Sequence, residues 1–209
     1  MADDFVWVTN AHVDPRLIKG FESEQSLEEE YLHVNAIRRN KVGKPVSEDE
    51  FPKVMWAGPY DRRLKSTPHM FRASGFWVVS AQFADVLRRF DLTGTALYPV
   101  DLYRRDRKTP LGDGYAFLSC GAIKDGFEPA YSERFQDHPQ AVEPHKTLPT
   151  APKDFDISVN ASVQTGGDIW FDRQLRYSFF FSDRLVQALK AEKLTSKLWL
   201  YKVGIVRNN

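Results

Sequence analysis

The sequence predicts an α+β fold in which helices pack on a mixed sheet built around two similar strand–helix–strand units. The main observation is a repeat: residues 76–100 and 179–203 each contain an aromatic run, a serine, an amphipathic stretch and a second apolar run. Ser80 in the first copy aligns with Ser182 in the second. The second observation is a hydrophobic content of 42%, which suffices for a sizeable core in a single domain over residues 1–209.

In the first unit, residues 76–79 predict a strand, because four apolar strand-forming residues are too few for a helix. Ser80 follows as a good N-cap, since its hydroxyl accepts a hydrogen bond from a free amide of the first turn. Apolar residues then recur at helical spacing, which predicts a helix over about 81–91. Residues 96–103 resume as a strand, and Pro99 places that strand at an edge or a bulge because proline lacks an amide proton.

The second unit closes the chain. Ser182 again precedes an amphipathic stretch, which carries Asp183 in its first turn and predicts a helix over about 183–193. A final strand is predicted within residues 198–206. Short apolar or alternating runs predict further strands at residues 5–8, 115–120, 155–159 and 169–171. The sequence leaves open whether the two units share one sheet.

Residues 1–53 form an acidic N-terminal region. Residues 1–30 contain eight acids, among them Asp3 and Asp4, and two bases, which is a local charge of −6 in a chain of net charge +1. Ser26 and Glu29 have the spacing of a capping box and predict a helix that runs through about residue 39. The basic residues near the end of this helix suit its dipole: Arg38, Arg39 and Lys41.

Two other segments predict loops. Residues 55–68 are loop-like and carry a basic triplet, Arg62, Arg63 and Lys65. Residues 124–153 contain five prolines and predict a long loop with little regular structure. Near the end of the acidic N-terminal region, Ser47 and Glu50 repeat the capping-box spacing, but Pro52 limits any helix there to its first turn.

Composition argues against several classes of protein. The net charge of +1 gives no overall field that would steer the chain to nucleic acid or anionic lipid. Cys120 is the single cysteine, which excludes an internal disulfide and suits a reducing compartment. Residues 1–10 lack the basic segment of a signal peptide, and the apolar runs are far shorter than the about 20 residues of a spanning helix. We therefore expect a cytoplasmic protein without membrane contact.

Catalytic and metal-binding signatures are weak. The chain has no Gly-rich phosphate loop and its five histidines are scattered, so we expect no cofactor and no metal. Cys120 with His138 is a conceivable nucleophile pair, but Cys120 follows an apolar run and an inert buried cysteine is favoured. Asp172 stands beside large aromatic residues that would raise its pKa, although a turn-capping role is favoured. A small hydrolase or transferase using Asp172 or His145 is the first alternative function.

Residues 104–108 form a basic run near Tyr98 and Tyr103 that has the composition of a small nucleic-acid patch. A solvated hairpin loop is the favoured interpretation, because residues 109–112 continue as a turn. A nucleic-acid-binding accessory protein that uses this run is the second alternative function. We expect no nucleic-acid partner.

Residues 74–103 and 168–203 resemble a family of bacterial immunity proteins, named after a myxobacterial member and encoded beside polymorphic toxins that are delivered between competing cells. The resemblance covers roughly residues 54–206, and its specificity comes from the two copies of the repeat with Ile169-Trp170-Phe171-Asp172 before the second. It implies an intracellular protein that binds and neutralises a cognate toxin. The family supplies no catalytic motif, so the resemblance implies a protein that is not an enzyme.

The expected contact residues follow from charge and aromatic content. A solubilising face is the favoured interpretation of the acidic N-terminal third, and a docking surface for a basic partner is the alternative. A toxin that acts on nucleic acid would carry a basic cleft, and an acidic patch would dock there. Aromatic anchors would supply most of the binding energy. The residues expected at the toxin interface are Glu28, Glu29, Glu30, Trp170 and Asp172.

Overall fold

The computed structural model describes residues 5–61 and 64–207, which form two mixed sheets, a two-stranded sheet and four α-helices. The predicted α+β class is therefore confirmed. Asp3, Asp4, Arg62 and Arg63, whose charges entered the sequence argument, lie outside the described residues. None of the helices in the described ranges is long and apolar enough to cross a membrane.

The helices are α1 (Glu24–Glu28), α2 (Glu30–Lys41), α3 (Ala81–Leu87) and α4 (Asp183–Ala191). The strands are β1 (Phe5–Thr9), β2 (Ile18–Lys19), β3 (Phe21–Glu22), β4 (Val54–Ala57), β5 (Met70–Ala73), β6 (Phe76–Val79), β7 (Thr95–Tyr103), β8 (Tyr115–Cys120), β9 (Ile123–Lys124), β10 (Gln136–His138), β11 (His145–Thr147), β12 (Ser158–Asn160), β13 (Ile169–Asp172), β14 (Phe179–Phe181) and β15 (Leu200–Val206). Short 3₁₀ helices cover Ala11–Val13, Pro15–Leu17, Glu48–Glu50, Pro59–Asp61, Pro129–Tyr131 and Ala161–Gln164.

The mixed sheet that the sequence predicts is in fact two mixed sheets. The six-stranded sheet has the order β12–β15–β1–β14–β13–β9, and the seven-stranded sheet has the order β2–β5–β6–β8–β7–β4–β3. Each contains parallel and antiparallel neighbours. The small third sheet pairs β10 with β11 and places His138 opposite His145.

The two strand–helix–strand segments lie in different sheets. Strands β6 and β7 both run antiparallel to β8, which lies between them, and β14 and β15 both run antiparallel to β1, which lies between them. The connecting helices α3 and α4 begin directly after Ser80 and Ser182, whose hydroxyls accept hydrogen bonds from the amides of Phe83 and Leu185. That the two segments are structurally equivalent units stays a prediction, which this shared order motivates.

Four strands of the two large sheets, β6, β8, β13 and β14, are buried on both faces, which explains their unbroken apolar runs. In β6, Trp77 and Val79 belong to the central core, whereas Phe76 and Val78 belong to a second core on the other face of the seven-stranded sheet. Phe180 likewise faces a third core outside the six-stranded sheet, while its neighbours in β14 face the central one. The central core contains α3 and α4, which pack on each other and on β8 and β1.

The N-terminal helix differs from its prediction. The predicted Ser26–Glu29 capping box does not form, because Ser23 caps α1 instead. A helix does run through residue 39, as predicted, but this helix is α2 and begins at Glu30. The Ser23 hydroxyl accepts from the Ser26 amide at 3.0 Å, and the Ser26 hydroxyl accepts from the Ser23 amide at 2.9 Å. Glu29 has φ −121° and ψ 47° and separates α1 from α2. Ser47 and Glu50, in contrast, form the predicted capping box at a single 3₁₀ turn.

Both predicted loops contain strands. Residues 55–68 overlap β4, which pairs with β3 and β7, and residues 124–153 contain the β10–β11 pair. These strands form because segments distant in sequence supply their hydrogen-bond partners, which a local pattern does not reveal. The prediction for Pro99 is confirmed: β4 joins β7 only from Asp101 onward, so the Pro99 stretch is flanked by β8 on one side.

Candidate functional site

Helix α2 is fixed to the seven-stranded sheet through one face. The Nε2 atom of His33 lies 3.0 Å from the Ser74 hydroxyl oxygen, and the His33 ring meets Phe76 edge-on with centroids 5.2 Å apart. Two turns later, the Asn40 side-chain amide donates to the Leu118 carbonyl at 3.3 Å. Burial lowers the pKa of His33, which favours the neutral ring in this position.

The turn between β5 and β6 requires glycine where it meets α2. Gly75 has φ +93°, and a Cβ at this position would lie 2.8 Å from Cδ1 of Ile37. Only glycine adopts this φ without strain and leaves room for the Ile37 side chain. The helix and the turn therefore pack directly against each other, which gives α2 a fixed position on the sheet.

The N-terminal end of α2 and the end of α1 present an exposed segment, residues 27–32, which we call the acidic elbow. All six residues are exposed. Three of them are carboxylates, Glu28, Glu29 and Glu30. The other three are large apolar side chains: Leu27 is 61% exposed, Tyr31 is 77% exposed and Leu32 is 59% exposed.

Helix electrostatics explains only part of the acidic elbow. The dipole of α2 stabilises Glu30 in its first turn, whereas Glu28 is the last residue of α1, where the helix dipole does not favour a carboxylate. Exposed leucine and tyrosine side chains gain nothing from the dipole and leave apolar area in contact with water. A run of exposed apolar residues bordered by charged residues is typical of a surface that contacts another molecule. The acidic elbow is therefore the candidate binding site.

Trp170 lies in the protein interior and does not belong to the acidic elbow. Its side chain is 1% exposed, and its ring stacks on Phe180 with centroids 5.7 Å apart. The Nζ atom of Lys124 lies 3.8 Å from the Trp170 ring centroid. We therefore correct its expected role from an interface residue to a core residue and leave it out of the binding surface.

Asp172 is also buried, at 3% exposure, and its carboxylate organises two loops. Oδ2 accepts hydrogen bonds from the amides of Gly126 and Phe127, and Oδ1 accepts from those of Gln174 and Leu175, all at 2.8–3.0 Å. Burial raises the pKa of Asp172, and the four amides oppose that shift. Because both oxygens hold backbone, the geometry supports the turn-capping role and neither the interface role nor catalysis.

The other candidate catalytic residues occupy separate places. His145 stacks on His138 with centroids 5.0 Å apart and meets Tyr177 edge-on at 5.4 Å. Cys120 lies in the central core, as predicted, and burial raises the pKa of its thiol to about 11. Within residues 5–61 and 64–207, no group of three or more His, Cys, Asp or Glu side chains is placed to hold a metal ion.

The basic run at residues 104–108 forms the predicted hairpin loop, between β7 and β8. The Arg104 amide donates to the Thr109 carbonyl at 2.8 Å, and the Asp106 carboxylate accepts from the Thr109 amide at 2.8 Å. The Arg107 guanidinium lies over the Trp56 ring, 3.8 Å from its centroid. The loop is thus held by its own turn and by Trp56.

Comparison with known protein families gives a match that covers most of the chain. The model of an immunity protein family, Imm11, matches residues 21–204. The match begins well before residue 54, where the resemblance was expected to start, and it therefore includes the acidic elbow and all of α2. No curated protein matches the chain.

Proposed function

The chain belongs to the Imm11 family of immunity proteins, and from this premise we propose that it binds and neutralises a cognate antibacterial toxin in the cytoplasm of the cell that makes it. The family match over residues 21–204 carries the proposal. The chain acts as a binding partner and not as an enzyme. Asp172 supports the absence of catalysis, because both of its carboxylate oxygens accept hydrogen bonds from backbone amides.

We propose further that the acidic elbow contacts the toxin. A toxin that cuts or modifies nucleic acid must itself bind phosphates through lysine and arginine side chains. Three adjacent carboxylates would steer the elbow toward such a basic surface. Tyr31, which is 77% exposed at the centre of the segment, would then bury its ring against the toxin and supply much of the affinity.

A pull-down with the product of the neighbouring toxin gene tests the binding proposal. The purified chain should retain the toxin in a stable complex, and it should block the toxin's activity in proportion to the amount added. Inhibition at amounts far below one chain per toxin would instead indicate an enzyme. Failure of the purified toxin to bind would contradict the proposal.

The contribution of the elbow is measured separately, as an association rate. Glu28→Gln, Glu29→Gln and Glu30→Gln together should slow association by about tenfold at low salt, and added salt should narrow the difference from wild type. The matched control changes three exposed acids elsewhere, Asp101→Asn, Asp113→Asn and Glu133→Gln. If both triple variants associate at the same rate, the elbow is not the contact surface, although the immunity function would stand.

A further inference from the structure

The C-terminal end of α2 borders a cavity of about 580 Å³. Small-molecule sites typically have volumes of about 300–1,000 Å³. We call it the basic cavity, because five lysine and arginine side chains and one carboxylate line it: Arg38, Arg39, Lys41, Lys44, Arg72 and Glu143. Arg38, Arg39 and Lys41 come from α2, whereas Arg72 comes from β5, so the excess of positive charge arises from the tertiary fold.

Two of the five cations have carboxylate partners. Arg39 pairs with Glu50. Lys44 lies 4.0 Å from Glu143, which also pairs with Arg176 at 2.6 Å. The single carboxylate of the cavity wall is thus shared between two bases.

The other three cations, Arg38, Lys41 and Arg72, have no carboxylate within 4.0 Å in the described part of the chain. Burial, and then the charge of Arg72, lowers the pKa of Lys41, which means that the two groups repel each other in a partly desolvated place. The uncompensated charges of Lys41 and Arg72, which are only partly exposed, are unfavourable unless an anion neutralises them, whereas the charge of Arg38 is exposed to solvent.

Hydrogen bonding at the cavity wall is also incomplete. The Arg72 guanidinium donates to the His12 carbonyl at 3.1 Å and lies 5.7 Å from the Trp77 ring centroid. The Nε atom of Arg72 and the Nδ1 atom of His12 are buried without a hydrogen-bond partner among the described residues. Buried polar atoms are nearly always paired in native proteins, so two such atoms beside one cavity need an explanation.

The backbone at the cavity is strained as well. Tyr177 lines the cavity with φ +68°, a left-handed conformation that is unfavourable for a non-glycine residue. Such strain persists where the surroundings enforce it and concentrates at ligand sites.

The helix dipole alone does not account for this arrangement. The C-terminus of a helix carries the equivalent of about half a negative charge, which favours Arg38 and Lys41 but is far from balancing them. Arg72 lies on a strand and gains nothing from being at the last turn of α2. The contacts of Arg72 with the His12 carbonyl and the Trp77 ring supply no negative charge, so the bases that converge from the helix and the sheet are not neutralised by these contacts.

We propose that the basic cavity binds a small ligand with several phosphate charges, as in a diphosphate or triphosphate group. Three uncompensated cations match the charge of such a group, and the guanidinium fork of arginine matches two phosphate oxygens at once. The site is separate from the acidic elbow and goes beyond toxin binding. Its test uses the purified chain without a toxin, so its failure would leave the immunity proposal untouched.

Isothermal titration of the full chain with sodium triphosphate, at constant ionic strength set with sodium chloride, is the test. We expect saturable binding of one triphosphate, about tenfold tighter than inorganic phosphate. Arg38→Gln with Lys41→Met should weaken triphosphate binding by about tenfold or more. The control, Arg105→Gln with Lys108→Met, removes the same charge from the exposed hairpin loop and should bind as wild type does.

Four results would overturn the proposal: no saturable heat with triphosphate, equal affinity for citrate, unchanged affinity in the Arg38/Lys41 variant, or an equal loss in the control. The first result points to an unliganded cavity and the second to a general polyanion surface.

If circular dichroism shows that the double variant is unfolded, Arg38→Gln alone replaces it, because this side chain is exposed. The single variant should bind triphosphate about threefold more weakly or worse, and wild-type affinity would contradict the site.

Discussion

The Nε2 atom of His33 lies 3.0 Å from the hydroxyl oxygen of Ser74, and this contact joins α2 to the turn between β5 and β6. The helix carries the acidic elbow at its N-terminal end and lines the basic cavity from its C-terminal end. Both proposed sites therefore depend on how firmly this one helix is attached to the seven-stranded sheet.

Replacing His33 with alanine should lower the free energy of unfolding by about 2–3 kcal/mol, because it removes a buried ring from Phe76 and leaves the Ser74 hydroxyl without its partner. The neighbouring change Leu32→Ala should cost less than about 0.5 kcal/mol, since Leu32 is 59% exposed. Urea unfolding compares the two. Equal midpoints would show that His33 does not anchor α2.

Gly75→Ala should destabilise the protein more than Gly166→Ala. Both glycines have positive φ, +93° and +80°, so alanine is strained by about 1 kcal/mol at either position. Only at Gly75 does the added Cβ meet another side chain, Ile37, whereas nothing lies within 4 Å at Gly166. Overpacking should add about 1–3 kcal/mol at Gly75. A thermal or urea unfolding series in which the two variants coincide would contradict close packing of α2.

Acid should weaken the fold through His12. Burial, together with the charge of Arg72, lowers the pKa of His12 from 6.5 to about 4. Between these values the unfolded chain binds more protons than the folded one, so the free energy of unfolding falls as the pH falls. The free energy of unfolding that is lost when His12 becomes fully protonated is roughly 3 kcal/mol. His12→Gln should make the free energy of unfolding less dependent on pH between about pH 6.5 and pH 4. If urea unfolding shows the same pH dependence in the variant as in wild type, His12 is not a buried neutral residue.

The local parts of the fold were predictable from the sequence. The apolar run of β6 and the serine that follows it predict a strand and a capped helix, and the structure has both. Strand β4 was not predicted, because its Trp56 pairs with Tyr103. These two residues are far apart in the sequence, so the residues around Trp56 do not reveal the pairing. The helix ends were also overestimated: α3 ends at Leu87, short of the predicted 91.

The sites were predictable to a similar degree. The exposure of Glu28, Glu29 and Glu30 follows from three adjacent charges. Trp170 was misplaced because an aromatic residue in a strand faces either solvent or core, and only the packing of both sheet faces decides which. The basic cavity could not be predicted from the sequence for the same reason, since only the tertiary fold places Arg72 close to the end of α2.

Tyr31→Ala should accelerate dissociation of the toxin complex, by an amount equivalent to about 2 kcal/mol, because the acidic elbow relies on this ring as its anchor. Tyr60→Ala is the matched control, since Tyr60 is 97% exposed and lies outside the elbow. Surface plasmon resonance on both variants measures the dissociation rates. Equal dissociation rates for the two variants would show that the contact surface lies outside residues 27–32.

The most direct test of the immunity function is survival of bacteria that produce the neighbouring toxin inside the cell. Cells that also produce this chain should grow as well as cells without toxin, and the Glu28, Glu29 and Glu30 triple glutamine variant combined with Tyr31→Ala should protect less at equal protein levels. Cells that die although the folded wild-type chain accumulates would contradict the assignment of toxin neutralisation to this protein.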